Sequence, residues 1–396
     1  MTATWQPPGP VTPLVDRVRQ RLAAETTTAS RGDLSPGAMA AAVRAEAGGV
    51  LADLQVLSAL RELQQELVGA GPLEPLLNSP GTTDVLVSGP DQVWVERAGE
   101  LHRTEVRFPD EEAVRRLAQR LALAAGRRLD DASPYVDAPL PGGVRLHAVL
   151  PPVAADGTCI SLRVLRPTMH GLDALQQAGS VAPEAGSLLR AVIAARLAFL
   201  VVGGTGSGKT TLLAALLGCV PGSERIVCVE EAPELLPGHP HVVRLAARQP
   251  NIEGVGEVTL RDLVRQALRM RPDRLVVGEV RGAEVCELLA ALNTGHEGGA
   301  GTLHANSLTE VPARLEALAA LGGMPRAALH SQLAAAVHVV LHMARRGGSR
   351  GLTAVGVLER AGELVRVVPA WQDGQWGPGA QRLRDLLGAG SGGATC

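Results

Sequence analysis

The stretch Gly203-Gly204-Thr205-Gly206-Ser207-Gly208-Lys209-Thr210 separates two apolar segments, Leu197 to Val202 before it and Leu212 to Leu217 after it. Four glycines in eight residues are costly inside a helix or strand, so this stretch must be a loop joining a strand to a helix. Glycines let successive backbone N–H groups turn inward as an anion nest, and the following helix offers its free N–H groups and positive dipole end. The pattern is G-x-x-x-x-G-K-[ST] in the strand–loop–helix context that gives it meaning. It predicts that Gly203, Gly204, Thr205, Gly206, Ser207, Gly208, Lys209, Thr210 and Thr211 cradle the phosphates of a nucleotide. Lys209 would neutralise the β- and γ-phosphates, and the Thr210 hydroxyl would supply one oxygen to Mg²⁺.

Lysine usage supports this reading. Of 38 Lys and Arg together, Lys209 alone is lysine, a bias that a GC-rich genome produces wherever the physics is indifferent. A lysine kept under such pressure has a task that suits a compact ammonium on a flexible stem and not the wide guanidinium fork. The remaining composition bounds the class. The chain has 396 residues, 46% of them hydrophobic, and a formal net charge of −2, which suits two or three packed domains of about 150 residues each. The charge lacks the strong basicity of a dedicated nucleic-acid binder. The first ten residues lack the charged and apolar regions of a signal peptide, and nowhere do about 18 apolar residues run together, so a cytoplasmic chain that does not span a membrane is expected. The five cysteines never form a C-x-x-C pair, so neither zinc nor a disulfide framework is expected.

Along the chain, residues 1–50 are rich in Ala, Thr, Pro and Gly and are expected to be variable and poorly ordered, with one helix near 11–24. Residues 51–166 read as a small α+β domain: a helix carrying Leu57, Leu60, Leu63, Leu67 and Val68, then strands at 84–88, 92–97 and 104–108 around the Ala98-Gly99 turn, then a helix with Val114, Leu117 and Leu121 on one face. Residues 167–182 are expected to be a linker bounded by Pro167 and Pro183. Residues 183–375 repeat short all-apolar strands and amphipathic helices, the signature of a parallel sheet covered on both faces. Residues 376–396 are expected to be a flexible tail.

Three further positions carry chemistry. Leu275-Val276-Val277-Gly278-Glu279 is a buried strand ending in a carboxylate, placed where such sheets bind ligands, so Glu279 is a candidate to hold Mg²⁺ or its water. Glu230 and Glu231 follow the strand Arg225 to Val229. Adjacent strand residues face opposite ways, so at most one faces the nucleotide and could orient or deprotonate an attacking water. His304, after a short strand and a Gly-rich run, is a candidate sensor of the γ-phosphate.

Taken together these segments resemble the secretion ATPase superfamily, and within it the CpaF-like branch of tight-adherence (Tad/Flp) pilus ATPases. The resemblance rests on the phosphate loop, on an Asp box at Arg225 to Leu235, on an atypical Walker B at Arg269 to Gly282 and on a His box at Asn293 to Ser307. It extends upstream through Gly71 to Leu76, Ser133-Pro134, Val136-Asp137 and Arg145 to Pro152. It implies a RecA-like P-loop α/β ATPase domain preceded by a smaller α+β N-terminal domain, and a homohexamer with nucleotide between the two. The implied activity is Mg-ATP hydrolysis that powers pilus assembly or related type II/IV secretion, peripheral to the inner face of the cytoplasmic membrane, on an integral-membrane platform protein. By the same resemblance Glu230 is the catalytic glutamate, and Arg145 and Arg163 reach the γ-phosphate. The family usually has Asp after the catalytic glutamate; here Glu231 stands there.

Two rival readings share the core. One is a conjugation-associated nucleic-acid translocase, disfavoured by only two Phe, four Trp and one Tyr, too few for a base-stacking platform. The other is a non-hydrolysing scaffold gated by nucleotide binding, disfavoured by the intact Lys209, Glu230 and Glu279.

Overall fold

The computed structural model describes residues 69–97, 99–164, 171–248, 250, 254–346 and 349–391. The expected leading segment 1–50 with its helix, the helix over 57–68 and Cys396 lie outside the described residues. The chain divides into two compact units that meet in sequence at Arg166 and Pro167.

In the first unit a short 3-10 turn, Gly71–Leu73, runs into α1 (Glu74–Asn78). There follow β1 (Thr82–Val87), β2 (Val93–Arg97), β3 (Glu100–Arg103), α2 (Glu111–Ala124), β4 (Tyr135–Leu140), β5 (Val144–Val149) and β6 (Cys159–Val164). The strands form one antiparallel sheet in the order β3-β2-β1-β6-β5-β4. Helix α2 begins where the Asp110 side chain accepts the N–H of Ala113, and Glu111 and Glu112 sit at its positive dipole end. Its stripe of Val114, Leu117, Ala118 and Leu121 packs into one core with Val85, Val87, Leu146 and Ile160 from alternate positions of the strands, as a sheet with one covered face requires. The strand expected at 104–108 is instead β3. Gly99, at φ 85°, makes so tight a turn that Arg97 pairs directly with Glu100.

The second unit opens with α3 (Leu172–Gln177) and α4 (Pro183–Ala194). It continues through β7 (Phe199–Val202), α5 (Lys209–Leu217), β8 (Ile226–Glu230), β9 (Val242–Ala246), α6 (Leu260–Ala267), β10 (Arg274–Val280), α7 (Val285–Leu292) and β11 (Ala300–Leu303). Then come α8 (Val311–Leu321), α9 (Arg326–Ala336), β12 (Val339–Arg346), β13 (Ser349–Ala361), β14 (Leu364–Gln372), β15 (Gln375–Trp376) and α10 (Ala380–Ser391). The sheet order is β15-β14-β13-β12-β7-β11-β10-β8-β9, parallel from β12 to β9 and extended on the other side by antiparallel β13 to β15. Residues of β7 alternate between two cores. Leu200 and Val202 join the core with α6 to α9, while Phe199 and Val201 join the core with α3, α4, α5 and α10. Both faces are therefore buried, which explains why β7, β8 and β11 are buried at every position.

Two expected boundaries are corrected. The segment read as a linker contains α3, whose Leu172 and Leu175, together with Val181, are buried in the second unit's core. The segment read as a flexible tail contains α10, where Leu383 is fully buried and Leu386 and Leu387 pack against the same core. Each apolar side chain removed from water this way contributes about 1.5–3 kcal/mol, enough to fix a short helix against a preformed surface.

Candidate active site

Strand β7 ends at Val202, and the chain turns sharply at Gly203, with φ 152°. A Cβ there would fall 2.2 Å from the Met343 carbonyl oxygen and 2.7 Å from Ser207 Oγ, so only glycine allows this close approach. Gly208 stands in the left-handed region at φ 96° as the residue before α5, and no side chain caps that helix. Its leading N–H groups therefore have no side-chain cap as acceptor, as a helix start that takes up an anion requires. Lys209 is buried, and its Nζ donates to the carbonyls of Gly203 at 3.0 Å and Gly204 at 2.9 Å. Ser207 Oγ is buried without a hydrogen-bond partner. Thr210 and Thr211 lie half-buried in the first turn of α5.

The strands beside β7 deliver the other predicted residues to the same sheet edge. In the order β7, β11, β10, β8 their carboxyl ends lead to the phosphate loop, His304, Glu279 and Glu230. His304 Nε2 lies 2.6 Å from Glu279 Oε1, within ion-pair distance though not aligned as a hydrogen bond. Burial holds the His304 imidazole below its usual range, and the nearby Lys209 charge adds to this against the opposing pull of Glu279. His304 is thus neutral at pH 7. Glu279 Oε2 takes a 2.6 Å contact from Arg281, whose other terminal nitrogen donates to Glu231 at 3.2 Å.

Glu230 differs from these half-exposed groups. It is only 4% exposed. Its Oε1 accepts the N–H groups of Glu234 at 3.0 Å and Leu235 at 2.9 Å, while Oε2 is buried without a hydrogen-bond partner. Burial pushes its carboxyl up to about 7, outweighing the two N–H donors that favour the anion. Glu231, one residue beyond the end of β8, is by contrast exposed and paired with Arg281.

Arg145 and Arg163 belong to the first unit. They are directly paired residues on β5 and β6, and the Arg145 guanidinium forks onto Asp137 at 2.8 and 2.7 Å. Sequence reasoning missed Arg281 and Thr302 as neighbours of the acids, and Arg350, whose side-chain carbons lie about 4 Å from where a Cβ of Gly208 would stand. Arg281, two residues beyond Glu279 at the same strand end, could have been flagged from the sequence. The others depend on contacts across strands.

The donor set fits a nucleotide phosphate with Mg²⁺. A buried orphan hydroxyl, an uncapped helix start and a buried ammonium suit phosphate oxygens, and one carboxylate with one threonine hydroxyl is what Mg²⁺ takes when phosphates and waters complete its shell. Among the described residues no group of three His, Cys, Asp or Glu side chains is placed to hold a metal by itself.

Comparison with known proteins adds the lineage. The model of the family described as "Type II/IV secretion system protein" matches residues 66–355. A Mycobacterium tuberculosis protein named for conjugal transfer is 64% identical over 346 residues, 85% of this chain and 98% of its own. The type IV secretion system protein VirB11 of Brucella suis is 34% identical over 262 residues, 60% of this chain and 72% of VirB11. The pilus retraction motor PilT with bound ADP is similar in fold, with a TM-score of 0.52 at 22% identity over 71% of this chain and 80% of PilT.

Proposed function

The chain belongs to the type II/IV secretion system protein family, and on that premise we propose that it is an Mg-ATP-hydrolysing motor of pilus assembly or secretion. The observation that carries this reading is the convergence of four strand ends, which sets Lys209, His304, Glu279 and Glu230 along one edge of a parallel sheet.

The roles follow from the environments. The loop N–H groups and Lys209 bind the phosphates, and Thr210 with Glu279 would hold Mg²⁺, which would supply neutralisation of phosphate charge. Glu230, half-ionised near neutral pH and carrying a buried orphan oxygen, takes a proton from water. His304, neutral and beside Glu279, reads the region of the γ-phosphate. Arg145 and Arg163 are assigned by resemblance to charge developing on that phosphate, and the N-terminal domain to the stroke that brings them there.

The finer assignment is a homohexamer of the Tad/Flp pilus branch, acting on an integral-membrane platform protein at the inner face of the cytoplasmic membrane. It is supported by the ordered sequence boxes. No described helix is long and apolar enough to cross a membrane. The name of the Mycobacterium tuberculosis relative favours a second reading, a conjugation-associated translocase. Phosphate release from Mg-ATP by the purified full chain, with and without single-stranded DNA, separates the readings. Turnover without DNA stimulation, abolished in Lys209→Ala, is expected for the motor. Strong DNA stimulation would favour the translocase, and nucleotide binding with no turnover would favour a scaffold.

A further inference from the structure

Glu230 occupies its buried place only because the neighbouring strand lacks a side chain beside it. The last paired residues of β8 and β10 are Val229 and Val277, so Gly278 comes next to Glu230. A Cβ built on Gly278 would lie 2.6 Å from Glu230 Cγ, 3.2 Å from Cδ and 3.0 Å from Oε1. Cγ is the stem of the side chain and not its free end. Moving it would pull Oε1 away from the N–H groups of Glu234 and Leu235 that hold it.

The far side of Gly278 is held as well. Pairing of β10 with β11 passes from Val277–Gly301 to Val280–Leu303, three steps on one strand against two on the other. Such a bulge leaves a backbone group without its ladder partner, and here the buried Thr302 hydroxyl donates to the Gly278 carbonyl at 2.7 Å. We propose that Gly278 is a positioning residue for the reaction: its missing side chain lets Glu230 fold in beneath the end of β10, and Thr302 holds the bulged strand where that space exists.

This proposal rests on the reading of Glu230 as the base, and it specifies what sets that base in place. Gly278 touches no reacting atom. The charged groups that act on Glu230 are Glu234 on the following loop and Arg244 on β9, and none of the substitutions tested below at Gly278 and Thr302 alters them.

The test uses the full chain as native protein, Gly278→Ala, Thr302→Val and Thr302→Ser. Three quantities are read: steady-state ATP turnover, affinity for a fluorescent ADP analogue, and the ¹³C carboxyl titration of Glu230 in nucleotide-free protein, assigned by its loss in Glu230→Gln. In Gly278→Ala the Glu230 midpoint should drop by a pH unit or more as the carboxylate is pushed toward water. Turnover should fall about 10²-fold, the scale of a misplaced general base, with nucleotide affinity within about threefold because the phosphate loop is untouched. Thr302→Ser, which keeps the hydroxyl, should behave as native, and Thr302→Val should shift the titration and turnover in the same direction as Gly278→Ala. A native Glu230 titration in Gly278→Ala would overturn the proposal. If that variant does not fold, identical titration in Thr302→Val and Thr302→Ser overturns it. A native chain that binds nucleotide without hydrolysing it would defeat the motor reading, and the titration would still decide the role of Gly278.

Discussion

Glu279 Oε1 and His304 Nε2 stand 2.6 Å apart at the ends of adjacent strands, while Arg281 grips the other oxygen of the same carboxylate at 2.6 Å. Glu279 is therefore flanked on both sides, and the pair with Arg281 fixes the orientation of its carboxylate. A carboxylate fixed in this way can present a defined edge to a metal ion without paying rotamer entropy at the moment of binding.

The first consequence concerns His304. Its folded-state value is depressed by burial and by Lys209, so between that value and the ordinary 6.5 the unfolded chain binds more protons than the folded one. Stability at this site accordingly rises with pH through that window and is complete above it. His304→Gln should remove that component, leaving a flatter difference between denaturation midpoints at pH 5.5 and pH 7.5 than in the native chain. Urea titrations at the two pH values measure it. An unchanged difference would mean that the imidazole is not desolvated. Turnover of the variant should fall by about 10-fold or more with nucleotide affinity retained.

Glu230 has the opposite sign. Its carboxyl is raised from 4.5 to about 7, so the folded state binds more protons than the unfolded chain between these values, and stability is lost as pH rises through them. At pH 8 the ionised group costs on the order of 3 kcal/mol. Glu230→Gln keeps the acceptor for Glu234 and Leu235 without the buried charge. It should melt at a higher temperature than the native chain at pH 8, with the advantage shrinking toward pH 4.5. It should also retain nucleotide binding while losing turnover about 10²-fold or more. Calorimetry at both pH values, together with phosphate release, checks both halves, and a variant less stable than native at pH 8 would contradict the burial argument.

How much of this could be read in the sequence depends on the range of the contacts. The phosphate loop, Glu279 and His304 are short local strings after apolar strands, and a strand such as Leu275 to Val277, apolar at consecutive positions, declares that both its faces are buried. Strands β4 to β6 alternate apolar with polar residues such as Asp137, Arg145 and His147 and include Pro139, so they lack that signal. Helix α3 offers only Leu172 and Leu175, and its six residues are too few to show a period. It is held by a surface made elsewhere in the chain. The contact of Gly278 with Glu230 requires the register of β8 against β10, which no local pattern contains.

Arg274 tests the fold apart from the chemistry. It is 1% exposed, with Nε 2.7 Å from Glu224 and its terminal nitrogens donating to the carbonyls of Gly298 and Ile193. A Cβ at Gly298 would lie 2.2 Å from that guanidinium, so the surrounding backbone is shaped to the side chain. Arg274→Met removes the charge and takes a donor from the Gly298 carbonyl, but Ile193 keeps the N–H of Arg196 at 3.2 Å and Glu224 keeps the Arg196 guanidinium at 2.9 Å. The loss should therefore fall near the lower end of the roughly 3–5 kcal/mol typical for breaking a buried pair. Chemical denaturation measures it, and a loss below about 1 kcal/mol would show that the pair is replaceable by packing.

Lys209 connects composition to geometry. Its ammonium sits among the carbonyls of Gly203 and Gly204 at 3.0 and 2.9 Å, inside a loop so close-packed that a single Cβ at Gly203 would collide with Met343. A guanidinium is planar and wide, with donors spread over three nitrogens, and cannot enter the same space without displacing the loop. Substitution by arginine keeps the charge and, in a chain otherwise served entirely by arginine, follows the compositional drift. If charge alone mattered, Lys209→Arg would work. The geometry instead predicts that Lys209→Arg and Lys209→Ala both lose turnover by about 10² or more, the scale of losing a preorganised electrostatic donor. Steady-state phosphate release at saturating Mg-ATP, with circular dichroism to establish that both variants fold, provides the measurement. Near-native turnover in Lys209→Arg would refute the steric argument and leave the lone lysine without a physical reason.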